Sequence, residues 1–275
     1  MTGWIIYSKN DIEKNKIFVE MLKRHFGKYL ISLNLIILEE MCDIESYEMP
    51  DFAINRSRDY KIAEMLEKRE VRVFNNSKVT KIANDKAKTY EYIKDIVPFM
   101  PVLCDKKVII SDKQKDDDEF QYPYVIKTCR GHGGNQVFMV ENLQQEKEVL
   151  QSIRKEKYIV QQVCSDLGKD VRVYVLGNKI VEAVLRTSSE SFKSNYSLGG
   201  CVQKYALNQE EKKMVYEIVD RLSLDYAGID FTFHNGKAVF NEIEDAVGAR
   251  MLYEISKIDI VEKFSKYIIG VLKVH

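Results

Sequence analysis

The sequence predicts an α/β protein, and three observations carry that expectation. Strand-like apolar runs alternate with helix-periodic segments through roughly the first hundred residues. A strand, a glycine-rich turn and a returning strand occupy the middle of the chain, and two hairpin signals, Gly177-Asn178 and Asn235-Gly236, mark its last third.

The elements follow in order. Residues 4–7 form an unbroken apolar strand, and residues 11–26 carry Ile12, Phe18, Val19, Leu22 and Phe26 at helical spacing from an Asp cap. A short strand at 52–54, a helix at 61–69 and a strand at 71–74 continue the alternation. Asn75-Asn76-Ser77 then interrupts it. A helix supported by Asn84-Asp85 runs from about residue 86 to 96, where Pro98 and Pro101 end it. The stretch 111–119, with its acidic run Asp116 to Glu119, reads as solvated loop. Strands at 124–127 and 137–140 flank a loop containing Gly131, Gly133 and Gly134, and a further strand covers 158–163. Strands 170–175 and 180–185 meet at Gly177-Asn178, and alternation puts Asp170 and Arg172 on one face. A helix at 210–222 leads into Ala227-Gly228-Ile229-Asp230.

Composition fits a large core. The 275 residues are 45% hydrophobic and 31% charged, enough for one multilobed unit or two domains. Lysine plus arginine and aspartate plus glutamate both number 42, so no global field steers the chain to nucleic acid or acidic membrane. The apolar run 30–38 is broken by Ser32 and Asn34 and falls short of the roughly 20 residues of a membrane span. Met1-Thr2-Gly3-Trp4 lacks the basic and apolar regions of a signal peptide. Five cysteines, at 42, 104, 129, 164 and 201, contain no CxxC pair, which points to a reducing cytoplasm; Cys129 and Cys164 read as buried or incidental thiols.

Two segments carry chemistry. Asp230 precedes the turn His234-Asn235-Gly236-Lys237, and Glu242 and Glu244 follow it, with no local cation to neutralise them. A strict two-residue loop pairs Asp230 with Asn241 and sends Glu242 to the other face, whereas a longer loop or a bulge at the turn sets Asp230 opposite Glu242 with Glu244 alongside. The metal reading expects that irregular turn; the other reading is an acidic strand end facing water. Oxygen donors with few histidines favour magnesium or manganese. In the second segment, the glycines return to a strand, which disfavours both a P-loop and a dinucleotide fingerprint, since each opens a helix. What remains is a mobile hairpin whose amides can approach phosphate, with Lys127 at its base, or a plain glycine-rich hairpin with a surface lysine.

Taken together, DFAINR, FNNSKVTKIANDK, YPYVIK with its glycine loop, IVQQV, GKDVRVYVLGNKIVEAVLR, FKSN with SLGG, AGIDF and FNEIE resemble the ATP-grasp superfamily. The order is that of its RimK-like carboxylate–amine ligases, the branch with ribosomal-protein glutamate ligases, from about Asp51 to the C-terminus. The resemblance implies an ATP-grasp fold: an N-terminal α/β domain (1–82), a central lobe with a glycine-rich lid (83–164) and a C-terminal lobe with a metal site (165–275). It implies that Lys86 and Lys127 contact ATP phosphates, Gln162 and Val163 meet adenine, and Asp170 accepts ribose hydroxyls. Lys193, Ser194 and Asn195 fall in a nucleotide segment, and Asp230, Glu242 and Glu244 are the metal ligands.

The implied chemistry is amide formation through an acylphosphate, with ATP, magnesium or manganese, a carboxylate and an amine such as an amino acid as partners, no nucleic acid or membrane, and room for a homo-oligomer; the alternatives are a non-catalytic ATP-binding regulatory or assembly protein and a phosphotransferase. Arg172 and Arg186 are candidates to hold the acylphosphate and the oxyanion, or else form a structural ion pair. The chain departs from the family at Glu244, where asparagine is usual, and at 245–248, where the small-residue Pro-Gly segment is replaced; Arg250 follows. Lys193 stands where arginine is usual, keeping the charge and losing the bidentate geometry.

Overall fold

The computed structural model describes residues 1–104, 107–109, 120–134, 136–189, 191–192 and 200–273. The expected loop at 111–119 and the candidates Lys193, Ser194 and Asn195 lie outside these residues. Three sheets organise the rest, each built from one stretch of chain.

The first sheet is parallel, in the order β2-β1-β3-β4, with β1 at Thr2–Tyr7, β2 at Ser32–Ile37, β3 at Phe52–Asn55 and β4 at Arg72–Phe74. Covered strands of this kind need continuous apolar sequence, and Trp4 to Tyr7 are all buried. Gly3 is required because any Cβ there would lie 2.3 Å from the Phe52 ring. α1 (Lys9–Gly27) starts earlier than its Asp11 suggests: Ser8 is the N-cap residue and Asp11 sits in the first turn, where a carboxylate suits the helix dipole. β2 was unexpected because Ser32 and Asn34 interrupt its apolar run. As an edge strand it exposes Ser32 and Asn34 and buries Leu33 between them.

α2 (Tyr60–Glu67) packs beside α3 (Ser77–Ala83). Asn75-Asn76-Ser77 does not break the pattern but starts α3, for the Asn76 side chain accepts from the Val79 amide. α4 (Lys86–Ile93) follows, with Asp85 as its cap.

The second sheet is antiparallel, in the order β6-β5-β9-β7-β8: β5 Val102–Cys104, β6 Lys107–Ile109, β7 Tyr124–Thr128, β8 Val137–Val140 and β9 Tyr158–Gln162. Between β8 and β9 runs α5 (Leu143–Ser152), capped by Asn142. The third sheet is also antiparallel, in the order β12-β11-β10-β13-β14: β10 Asp166–Leu176, β11 Lys179–Thr187, β12 Cys201–Lys204, β13 Tyr226–His234 and β14 Lys237–Glu244. α6 (Gln209–Leu222) precedes β13 and carries a full capping box between Asn208 and Glu211. α7 (Arg250–Ile255) and α8 (Ile260–Lys273) complete the chain.

Two large cores join the sheets. One sets Tyr90 and Phe99 against Val171, Val173, Phe231 and Phe240. The other packs Ile5, Phe52 and Phe74 of the first sheet with Tyr174, Val184, Phe264 and Ile268, so α8 fastens the last segment onto the first sheet. Burial of this many aliphatic and aromatic side chains, each worth roughly 1.5–3 kcal/mol, fixes the cleft walls.

Candidate active site

The site begins with the β13–β14 hairpin. His234 pairs with Lys237 across a two-residue Asn235-Gly236 loop, with φ of 51° and 72°, the left-handed pair that a type I′ turn requires. The turn is therefore regular, contrary to the expectation of a distorted loop. The irregularity lies within the strand instead. Phe231 pairs with Phe240 while Asp230 pairs with Glu242, so Asn241 is an extra, bulged residue. This bulge sets Asp230 opposite Glu242 and keeps Glu244, opposite Gly228, on the same face.

The cations that neutralise the cluster are not local in sequence: β10 and β11 supply two arginines from across the sheet, in the structural ion pairs that were the alternative for Arg172 and Arg186. Arg172 faces Asp230 in the β10–β13 register and donates Nε to Oδ1 and Nη2 to Oδ2, both at 2.7 Å, while its Nη1 lies 2.5 Å from Glu244. Arg186 faces Asp170 and donates to both its oxygens at 2.5 and 2.7 Å; its Nη2 also reaches Asp230 Oδ2 at 2.6 Å. Burial alone would raise the Asp230 pKa, but the two guanidiniums outweigh it and hold the carboxyl below its ordinary value. Among the described residues, no group of three or more His, Cys, Asp or Glu side chains is poised as a ready metal cage.

The opposite wall carries lysines that, among the described residues, donate to neutral oxygens. Lys127 Nζ donates to Asn241 Oδ1 at 2.8 Å, and Lys86 Nζ donates to the Gly131 carbonyl at 2.6 Å. Burial pushes Lys127 down to about 8, with Glu242 opposing the shift and Lys86 adding to it. Burial likewise raises Glu242, assisted by Asp230 and resisted by Lys86 and Lys127. Glu242 accepts no hydrogen bond from a described residue. Desolvation, then Arg58 and Lys86, push His132 down to about 4. Burial raises both Cys129 and Cys164, which agrees with inert thiols.

Two cavities meet at Lys86, Gly133, Asn241 and Glu242. The outer one has apolar walls at Met100, Val125, Val137 and Val163, and Lys127, Gln162, Asp166 and Asp170 also line it. Gln162 donates its amide to the Pro101 carbonyl, while its side-chain Oε1 is buried without a hydrogen-bond partner among the described residues. The inner cavity is lined by Tyr90, Arg172, Arg186, Glu244, Arg250 and Met251 among others. The fold thus brings together Lys86, Lys127, Gln162, Val163, Asp170, Arg172, Arg186, Asp230, Glu242 and Glu244. Asn241 and Asp166 went unread. Asn241 is legible only once the bulge is known, and Asp166 carries no motif.

Two antiparallel sheets with a cleft between them, joined to a parallel-sheet unit, are the ATP-grasp arrangement. The D-alanine–D-alanine ligase of Bacillus anthracis complexed with ATP shares it, with a TM-score of 0.74 at 15% identity over 99% of this chain and 97% of that one. Residues 83–268 match the RimK-like ATP-grasp domain, and the chain belongs to that family of carbon–nitrogen ligases. Its relatives include the Mycoplasma pneumoniae MG011 homolog, 31% identical over 90% of this chain and 85% of that protein. Human N-acetylaspartylglutamate synthase A is 26% identical over 94% of this chain and 67% of its own length. Among the described residues, no helix is long and apolar enough to cross a membrane.

Proposed function

We propose that this ligase joins a carboxylic acid to an amine, an amino acid or a related compound, through an acylphosphate, releasing ADP and phosphate in the cytoplasm. The observation that carries the reading is the junction: Glu242, Asn241 and Lys86 stand where a cavity walled in part by Met100, Val125, Val137 and Val163, which suit an adenine ring, opens into one rich in guanidinium. In the first step a substrate carboxylate oxygen attacks the γ-phosphorus of ATP, and the bond to the β–γ bridging oxygen breaks as ADP leaves. In the second the amine nitrogen attacks the acyl carbon, loses a proton and expels phosphate.

Each residue has a part that its contacts support. Lys127 and Lys86 exchange neutral oxygen partners for phosphate oxygens, and Lys127, partly neutralised by burial, regains its full charge there. Gln162 Oε1 can accept from the adenine amino group, and Val163 packs beside the ring. For the ribose we favour Asp166 over Asp170, since both oxygens of Asp170 already accept from Arg186. Arg172 and Arg186 line the inner cavity and steady charge on the acylphosphate and the tetrahedral oxyanion.

The donor set fits a hard divalent cation such as magnesium at Glu242, which accepts no hydrogen bond from a described residue; Glu244 and Asp230 share its face, and Asp230, whose oxygens already accept from Arg172 and Arg186, would join by giving up part of those contacts. Those three residues would hold the ion, which when bound offsets phosphate charge. We further propose residues 1–82, 83–164 and 165–275 as the functional units, the glycine hairpin of the second acting as the lid that excludes water.

The test is ADP release screened over carboxylic acids paired with amino acids, followed by product mass. Release that needs both partners, and is abolished in Glu242→Gln with the fold intact, supports the reading. Nucleotide binding without turnover across the panel, or full activity in that variant, overturns it.

A further inference from the structure

Four cations line the inner cavity: Lys86, Arg172, Arg186 and Arg250. Three are already engaged. Lys86 holds the Gly131 carbonyl, Arg172 holds Asp230 and Glu244, and Arg186 holds Asp170 and Asp230. Arg250 is solvent-exposed and lines the cavity, and its side chain has no acidic partner or hydrogen bond among the described residues. Of the three arginines of this cavity, Arg250 is the one that no carboxylate among the described residues holds.

The backbone beneath it is fixed, which is what a recognition group requires. Asp245 accepts from Asn84 at 2.9 Å, the Ala246 and Val247 carbonyls accept from buried Arg56 at 3.0 and 2.8 Å, and the Gly248 carbonyl accepts from Tyr174 at 3.1 Å. Buried Met251 and Leu252 then anchor α7 immediately after Arg250. The side chain is thus displayed from a segment tied to the first sheet, to α3 and to β10. A guanidinium so placed matches a carboxylate in two parallel hydrogen bonds, which an ammonium or a neutral amide does not.

We infer that Arg250 binds a second substrate carboxylate, one that is not activated, and thereby selects an amino acid or a dicarboxylic acid over their neutral analogues. The inference rests on the ligase reading. The carboxylate belongs either to the amine substrate or to the acid as its non-reacting end, and the arms of the test separate the two.

With a productive acid and amine in hand, the amino acid is compared with its carboxamide, and the diacid with its half-amide, on wild type and on Arg250→Gln and Arg250→Lys. On wild type, amidating the recognised carboxylate is expected to lower kcat/KM by about 10- to 100-fold, the loss expected when one charged hydrogen-bonding partner is removed. Arg250→Gln should lose a similar factor with the carboxylate substrate and discriminate less than about twofold against the amide, with Arg250→Lys between. Sensitivity to amidation of the amine places the carboxylate on the amine; sensitivity on the diacid places it on the acid.

Wild type that ignores amidation of both substrates overturns the inference without recourse to any variant, as does Arg250→Gln with wild-type discrimination. If no pair releases ADP, the ligase reading falls by itself. Arg250 is then judged by calorimetric binding of glutamate and glutaminamide in the presence of a non-hydrolysable ATP analogue. Preference for glutamate in wild type and not in Arg250→Gln sustains the inference, and equal binding throughout overturns it.

Discussion

The two walls of the cleft solve the problem of buried charge in opposite ways. On the third sheet, Arg172, Arg186, Asp170, Asp230 and Glu244 neutralise one another through short, mostly two-pronged contacts before any ligand arrives. On the second sheet and α4, Lys127 and Lys86 rest on an amide oxygen and a carbonyl. A cation held by a neutral dipole gives up little when phosphate replaces its partner, whereas a cation inside an ion-pair lattice gives up much. On the proposed reading the lysine wall is the one to capture phosphate, and the arginine wall is the one to stay in place.

The largest effect that would break this contrast is on stability. Asp230→Ala leaves two buried guanidiniums short of their shared carboxylate, and we expect a loss of about 3–5 kcal/mol and a fall in Tm of roughly 10 °C by calorimetry. A shift under about 3 °C would mean that the arginines re-pair and that the lattice holds nothing in place. The complementary change is Lys127→Met. Replacing a buried ammonium with an apolar chain should leave Tm within about 2 °C while ADP release falls by about 10²- to 10³-fold; comparable losses in both measurements would erase the distinction between the walls.

The next effect in size is a pH dependence. Since burial holds Lys127 near 8 and phosphate favours its charged form, ATP affinity should fall as pH rises through 8, by up to about tenfold per unit, with proton uptake on binding. Titrations in two buffers of different ionisation enthalpy would measure that uptake, and none at pH 8.5 would contradict the assignment. Stability has the opposite sign: the unfolded chain binds the extra proton between 8 and the ordinary lysine value, so unfolding becomes harder over that window. The smallest effect is expected for Glu244→Asn, which removes one partly exposed partner of Arg172 and should change stability by about 1 kcal/mol or less in chemical denaturation. A much larger loss would mean that Glu244 holds Arg172 as firmly as Asp230 does.

Much of this was legible because local chemistry and fold agree. Trp4 to Tyr7, the Gly177-Asn178 turn and the 124–140 hairpin each say in a few residues what the structure does with them. The α3 helix was missed because Asn76 was read as a breaker when its side chain serves as the cap. The pairing of Asp230 with Arg172 spans 58 positions in sequence and depends on β10 lying beside β13, which no local pattern encodes. Asn235-Gly236 correctly announced a tight turn, but its two-residue loop argued against the register that the structure adopts. Nothing in Phe240-Asn241-Glu242 advertises the extra residue that reconciles them.

That extra residue also serves the wall it does not belong to. Removing Asn241 would still leave Glu242 opposite Asp230, because a regular ladder from the same two-residue turn pairs Asp230 with the residue eleven positions on. What the deletion would take away is the amide oxygen on which Lys127 rests and the carbonyl that accepts from the Tyr90 hydroxyl. The acidic strand thus spends one residue on its neighbour: the bulge is the seam at which the third sheet hands a neutral dipole across the cleft to the lysine of the second.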